Sequence, residues 1–336
     1  MSVWASVLAL LKDEPACALV TVVRIEGSAP REVGARMVVD AARRFSGTIG
    51  GGMLEYQAIE AAAAGLQNDP SDSLRLDRMS LGPDLGQCCG GRVTLAVETI
   101  TRRRCDEVER LSRLEAQGTF VTQMTIPDAG VFPRRTLVDA GSSLPCGVDA
   151  RLGDGRLSER FGIDRTPVCL FGAGHVGKAL VLALAPLPFS LVWIDNRPDI
   201  FPSRAPATVR MVAAADPLPE ANGRCKGAEV LIMTHDHALD LAIADVALRQ
   251  PDVAGVGMIG SETKAARMRS RLVSAGHEPR RVAEVFRCPI GLSGLASKAP
   301  AAIATSVAAE LLMRRERREP VHNKRRNSLA GSIAAI

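Results

Sequence analysis

Aromatic residues are scarce in this chain: two Trp, one Tyr and eight Phe make up 3% of its 336 residues. Alanine, valine and leucine must fill its cores, and a surface that holds nucleic acid by stacking bases on aromatic rings is not expected. The single tyrosine, Tyr56, has Glu60 rather than lysine four positions on, which excludes a Tyr-x-x-x-Lys proton relay. No apolar run approaches the roughly 18–20 residues that cross a bilayer, so no membrane partner is expected. The N-terminal MSVWASVLALLKDEP has no basic residue ahead of its short apolar stretch and no clear cleavage context. Neither a Cys-x-x-Cys nor a zinc-type Cys/His spacing occurs. Eight cysteines without a secretory signal read as reduced thiols in a cytoplasm rather than as a disulfide framework.

The net charge of +5 is concentrated at one end. RRERREPVHNKRR (314–326) holds seven basic and two acidic residues, so the rest of the chain is close to neutral. A solvated helix end with a tail accounts for it, a docking strip for an acidic protein partner being the alternative, and nucleic acid is not expected as a partner.

The chain is long enough for two domains. Residues 1–12 have a helical period, and ACALVTVVRI (16–25) reads as a buried strand. Strands follow at 35–40 and 44–49, a helix at 53–66, strands at 73–81 and 92–100, a charged helix at 103–117, and strands at 118–126 and 134–140. GDGRLSERFGIDRTP (153–167) is polar and rich in turn formers, and it places a domain boundary near 150–165. From Pro167 on, strands alternate with helices, the pattern of a doubly wound parallel sheet. The fold class is α/β: an N-terminal mixed α/β domain (1–160), a Rossmann-like domain (165–313), and a basic tail (314–336) expected to be disordered. The last helix, 299–313, is apolar round much of its circumference, so it packs against the sheet or into an interface. A homodimer is the expectation.

Gly172-Ala-Gly174-His175-Val-Gly177 is a GxGxxG that follows an apolar strand and opens a helix, with Asp195 about twenty residues on. That context makes it a dinucleotide fingerprint, with glycines for the phosphate approach and the acid for a ribose. Thr234-His-Asp-His237 and Gly260-Ser-Glu-Thr-Lys264 fall at carboxyl ends of strands in the same sheet. Ser261 would cap a helix whose start, with Lys264, could hold an anion. His235 and His237 read as substrate or water contacts more readily than as metal ligands. In the first domain, Gly50-Gly51-Gly52 opens a helix with Glu55 in its first turn, a second anion site, near Arg24, Arg31 and Arg36. GQCCGGR (86–92) puts Cys88 and Cys89 among glycines, where backbone must bend or a ligand must come close. The two thiols are either buried structural groups, a strained vicinal disulfide, or reactive or ligating thiolates favoured by Arg92 and turn amides.

GSAPREVGARMVV (27–39), SGTIGGGMLEYQAIEAA (46–62), GQCCGGRV (86–93), GAGHVG (172–177), THDH (234–237), MIGSETKAARMRSRL (258–272) and CPIGLSGLASKAPAAIATSVAAELL (288–312) together resemble the XdhC/CoxI family. The ordered series over residues 1–100 and 165–312 is far more specific than any one motif. The resemblance implies an accessory protein rather than an enzyme. Such a protein binds molybdenum cofactor, supports its sulfuration by a cysteine desulfurase, and inserts it into xanthine dehydrogenase or a related molybdenum hydroxylase. Proteins of molybdenum cofactor biosynthesis are implied as donors. On that reading Cys88 and Cys89 contact molybdenum, beside Gln87 and Arg31. The cofactor's phosphate lies on Gly50–Gly52 with Glu55, or on Gly172, Gly174, His175 and Gly177 with Asp195, His235, Ser261 and Lys264. A nucleotide in the Rossmann domain stays open, because Asp195 predicts a ribose that plain molybdopterin lacks. An NAD(P)-dependent oxidoreductase and a nucleotide-sensing module are the alternatives.

Overall fold

The computed structural model describes residues 2–81, 91–126, 134–139, 144, 148–295 and 297–318. The chain forms two compact units, Met1–Asp164 and Arg165–Ile336.

Unit 1 is built on a five-stranded antiparallel sheet: β1 (Ala16–Glu26), β2 (Arg36–Val39), β3 (Phe45–Gly47), β4 (Ser73–Ser80) and β5 (Arg92–Thr101), in the order β3-β2-β1-β5-β4. The β-branched run of β1 makes it central and buried through Val23. One face of the sheet, including Val20, Val22, Val93, Leu95 and Val97, is covered by α2 (Gly52–Asn68), which presents Leu54, Ala58, Ala62 and Leu66. The other face changes cover along its length. At one end Leu19 and Ile100 pack on α1 (Val3–Asp13) and α3 (Cys105–Gln117). In the middle Val23, Leu74 and Ala96 meet a second sheet. That sheet comprises β6 (Phe120–Thr125), β7 (Thr136–Val138), β8 (Ala150–Gly153) and β9 (Arg156–Phe161), ordered β7-β6-β9-β8.

The segment at the expected domain boundary therefore contains strands, one of them central. Its hairpin turns at Asp154-Gly155, both with positive φ (52° and 68°), as a two-residue turn with inverted twist requires. Its one buried charge, Glu159, is buried because it has ionic partners. Glu159 of β9 is fully buried, and Glu98 of β5 nearly so. Arg135 Nη2 lies 2.5 Å from Glu98 Oε2 and 2.7 Å from Glu159 Oε2. Arg104 Nη1 donates to Glu98 Oε1 at 2.8 Å, Arg36 Nε to Glu159 Oε1 at 3.3 Å, and Thr21 Oγ1 to the same oxygen at 2.9 Å. The Arg36 guanidinium also stacks 4.2 Å from the Phe161 ring centroid.

Unit 2 is a six-stranded parallel sheet: β10 (Thr166–Phe171), β11 (Phe189–Asp195), β12 (Val209–Ala213), β13 (Glu229–Ile232), β14 (Gly255–Met258) and β15 (Phe286–Arg287). The order β12-β11-β10-β13-β14-β15 is the 3-2-1-4-5-6 arrangement of a Rossmann fold, with its crevice between β10 and β13. The connecting helices are α4 (His175–Leu184), α5 (Leu218–Arg224), α6 (His237–Arg249), α7 (Glu262–Ser274) and α8 (Pro279–Val285). The last helix, α9 (Pro300–Arg318), packs on the sheet through Ala304, Val307, Ala308 and Leu311, together with Leu180 and Leu184 of α4. The apolar residues on which self-association was expected are thus used within the unit. The helix runs to Arg318, and Arg314 and Arg318 both pair with the buried Glu229, so the first basic residues of the expected tail are structural. Among the described residues no helix is long and apolar enough to cross a membrane.

Burial works against the Glu159 carboxylate, but Arg135 and Arg36 hold its pKa below the ordinary value. As the pH drops below about 4.5, the unfolded carboxyl takes up its proton first. The stabilisation is therefore complete above that pH and is lost as the pH falls through the lower native value. Urea unfolding followed by Trp4 fluorescence in a Trp193→Phe background should show unit 1 weakening on that acid limb, with a flatter profile in Glu159→Gln. At pH 7 Glu159→Gln should cost ~3 kcal/mol or more, since it leaves Arg36 without its carboxylate and Arg135 with Glu98 alone.

Candidate functional site

Two motif-bearing loops of unit 1, and the flank of a third at Gly91, pack together at one end of the five-stranded sheet. The loop after β1 begins at Gly27 and returns to β2 through Gly34 N to Val22 O (2.8 Å). Its Pro30 and Arg31 press on the glycine turn before α2: a Cβ at Gly50 would lie 2.6 Å from Pro30 Cγ and 3.4 Å from Arg31 Cγ. Gly91 lies against the same loop, where a Cβ would meet Ser28 O at 2.2 Å and Glu26 O at 2.8 Å. Gly91 O accepts from Leu81 N at 2.8 Å. Gln87, Cys88 and Cys89 lie outside the described residues.

The glycine turn is an amide nest, with positive φ at Gly50, Gly51 and Gly52 (133°, 75° and 64°). An anion occupies it already, from the chain itself. Glu55 Oε2 accepts from Ile49 N (3.0 Å), Gly51 N (3.2 Å) and Thr48 Oγ1 (2.5 Å). Glu55 therefore caps its own helix, and these donors are not free for a phosphate. Arg36 is committed to the buried cluster, and Arg31 pairs with Glu32 at 3.1 Å. Arg24 remains. It lines a groove of about 410 Å³ with Glu26, Arg78, Ser80, Arg92 and Thr94. Arg78 escaped sequence reading because only the pairing of β4 with β5 brings it to this face. The alternation in SLRLDRMS was the available signal.

In unit 2 the fingerprint glycines have separate roles. A Cβ at Gly172 would lie 2.2 Å from Met233 O, and one at Gly177 2.2 Å from Gly172 O. Gly172 also has φ of 114°. These two let strand, turn and helix close up. Gly174 has nothing within 4 Å and leaves the helix start open to approach. His175, exposed, is the first residue of α4. Asp195 is buried and accepts from Ala173 N (2.7 Å), Arg197 N (2.9 Å) and the Arg197 guanidinium (2.9 and 3.0 Å). Burial opposes its charge, but these donors hold its pKa below the usual carboxylate value. Both oxygens are thus engaged, so the expected ribose acceptor instead ties the glycine loop to Arg197.

The other strand ends are likewise satisfied. Ser261 Oγ accepts from Lys264 N at 3.2 Å, the cap read from the sequence. Lys264 Nζ, expected to serve an anion, donates to the buried Asp240 Oδ2 at 2.7 Å and to Ile259 O at 3.2 Å. Asp240 Oδ1 accepts from Thr234 Oγ1 at 2.7 Å. Cys288 joins this group, with Sγ 3.0 Å from a Cβ placed at Gly260; burial pushes its pKa up, against the pull of Lys264 and Arg269. His235 is exposed on the same edge. Among the described residues no cluster of three His, Cys, Asp or Glu is placed to hold a metal ion.

Residues 10–77 match the model of the XdhC and CoxI family, and residues 168–311 that of the XdhC Rossmann domain, more than half of the chain together. The chain belongs to the XdhC and CoxI family. Among proteins similar to this XdhC/CoxI member is one of Bacillus subtilis (strain 168) described as a probable xanthine dehydrogenase subunit. It is 28% identical over 338 residues, covering 92% of this chain and 96% of that protein. A crystal structure of a xanthine dehydrogenase from Bacillus halodurans shares the fold, with a TM-score of 0.76 at 21% identity over 96% of this chain and 98% of that one.

The glycine roles in this XdhC Rossmann domain are separable. Gly172→Ala should destabilise unit 2 by more than about 2 kcal/mol, through its positive φ and the clash with Met233 O. Gly174→Ala should stay within ~0.5 kcal/mol of wild type. Calorimetric melting of the two variants checks both.

Proposed function

We propose that this chain is a maturation factor for xanthine dehydrogenase or a related molybdenum hydroxylase. It carries molybdenum cofactor as cargo, supports its sulfuration and delivers it, rather than turning over a substrate. The observation that carries this reading is the packing of loop 27–34 against both the glycine turn at Gly50 and the flank of the Cys-Cys motif at Gly91. It brings sequence-distant family motifs to one place. The family membership and the name of the Bacillus subtilis relative support the choice of acceptor.

In this reading the cargo supplies the metal and the dithiolene. The chain supplies thiols at Cys88 and Cys89 to shield molybdenum or pass sulfur, and basic groups for the phosphate. A cysteine desulfurase is the sulfur source, and cofactor-biosynthesis proteins are the donors. Because Asp240 and Arg197 satisfy two of the expected anion or ribose contacts of unit 2, Gly174 is the open backbone approach left among the residues expected there. That opening and the 3-2-1-4-5-6 strand order favour a second reading, in which unit 2 binds a nucleotide as a sensor or redox cofactor.

The test is protein co-expressed with molybdopterin synthesis and purified without oxygen. Molybdenum by metal analysis and pterin by fluorescence after oxidation should be near-stoichiometric in wild type and fall at least about tenfold in Cys88→Ala/Cys89→Ala. Retention of both in the double variant would remove the thiols from the model. Bound NAD(P) with no pterin, or steady-state NAD(P)H oxidation, would replace it with the second reading.

A further inference from the structure

We infer that the groove lined by Arg24, Arg78 and Arg92 in unit 1 is a phosphate-ester site, taking the phosphate or pyrophosphate of the cargo. The identity of the cargo rests on the preceding reading; the groove itself does not.

Strand register puts the three arginines on one face. Thr94 of β5 is paired with Arg24 of β1 on one side and Arg78 of β4 on the other, and Arg92 is paired with Glu26 and Ser80. Residues directly opposite in a sheet point the same way, as do residues two apart along a strand. Arg24 and Arg78 thus flank one strand, about 10 Å apart, with Arg92 on the diagonal to each at about 7–8 Å.

Arg24 reaches this face through an irregularity. Val22 pairs with Leu95, but the next pair is Arg24 with Thr94, so two residues of β1 face one of β5. In unbroken pairing Val23 would oppose Thr94, and Arg24 would turn toward the core under α2. The bulge places both Val23 and Arg24 on the groove side, a re-aiming that bulges perform beside binding sites.

The cluster is also unbalanced. Arg24, Arg78 and Arg92 are all exposed, and none makes an ion pair or a side-chain hydrogen bond with a described residue. Glu26, the carboxylate in the lining, makes no ion pair with a described residue either. The contrast lies on the same sheet face: Arg104 and Arg135 are both paired to Glu98. Three guanidiniums in adjacent positions, without a partner among the described residues, repel, and a bound anion removes that repulsion. Guanidinium forks fit phosphate oxygens two at a time, and the Ser80 and Thr94 hydroxyls add donors within the lining. A concave space of about 410 Å³ suits a phosphate or pyrophosphate with part of an attached ring system. The groove begins at Arg92, next to Gly91, so it adjoins the packed motif loops.

The test uses the purified chain without cargo. Pyrophosphate and inorganic phosphate are titrated by calorimetry into wild type, Arg24→Gln/Arg78→Gln/Arg92→Gln and Gly174→Asp, with melting curves to confirm that each is folded. Saturable pyrophosphate binding that weakens by about 100-fold or more in the triple variant and is unchanged in Gly174→Asp supports the site. Equal binding by the triple variant, loss in Gly174→Asp instead, or no saturable binding by wild type overturns it. A triple variant that keeps pyrophosphate affinity but no longer binds xanthine dehydrogenase overturns it in favour of a protein-docking face. In the co-expressed protein, pterin content should fall in the triple variant, and nucleoside monophosphate released by acid tells a dinucleotide cargo from a simple phosphate ester. Wild-type pterin content in the triple variant overturns the inference and leaves the carrier reading standing. Wild type without pterin overturns the carrier reading, and pyrophosphate then decides the groove alone.

Discussion

Unit 1 depends on a buried set of charges that no single segment can satisfy. Glu98 comes from the first sheet and Glu159 from the second, and Arg135 spans both, with Arg104 and Arg36 at the two ends. Desolvating such groups costs more than their attraction returns unless nearly every partner is present, so the cluster selects one arrangement of the two sheets more than it adds net stability. Its reach extends to the groove. Glu98, Ala96, Thr94 and Arg92 alternate along one face of β5, running from the ion cluster through the intersheet core to the open end. Fixing Glu98 fixes which way Arg92 points.

The Rossmann half was legible because its signals are local. The alternation of apolar runs and helices from Pro167 on marked the parallel sheet, and GAGHVG at a strand-to-helix junction marked the turn. Membership of the XdhC and CoxI family was legible from the ordered motifs. In unit 1, the strands within 153–167 were not legible, because the segment's polarity makes sense only once Arg135 and Arg36 lie beside Glu159, and those partners are remote in sequence. The Asp-Gly pair inside it is the local signal for the hairpin. The arginine groove was half legible: Arg24 and Arg92 stand out as bases near motifs, while Arg78 needs the strand register.

Three of the groups expected to meet a ligand already have partners within the chain. Glycine-rich turns and helix starts read as vacancies for a ligand, yet the chain fills the first with Glu55, ties Asp195 to Arg197, and gives Lys264 to Asp240. A backbone amide nest demands an anion, and a carboxylate a few residues downstream is the nearest source. What distinguishes a binding site from a self-satisfied turn here is surplus. The nest has its counter-charge, and the groove has two more positive than negative groups in its lining.

The sequence positions of the buried charges also set an order of events during synthesis. Arg36 emerges early and Glu98 well after it, but the carboxylate that receives Arg36 is Glu159, near the end of the unit. β1, β2 and β5 can pair once residue 101 is available, yet their inner face then bears Glu98 and Arg36 without the second sheet to enclose them. The nascent domain thus stays uncommitted until β9 has been made, and it closes just as the first strand of the Rossmann half begins to leave the ribosome.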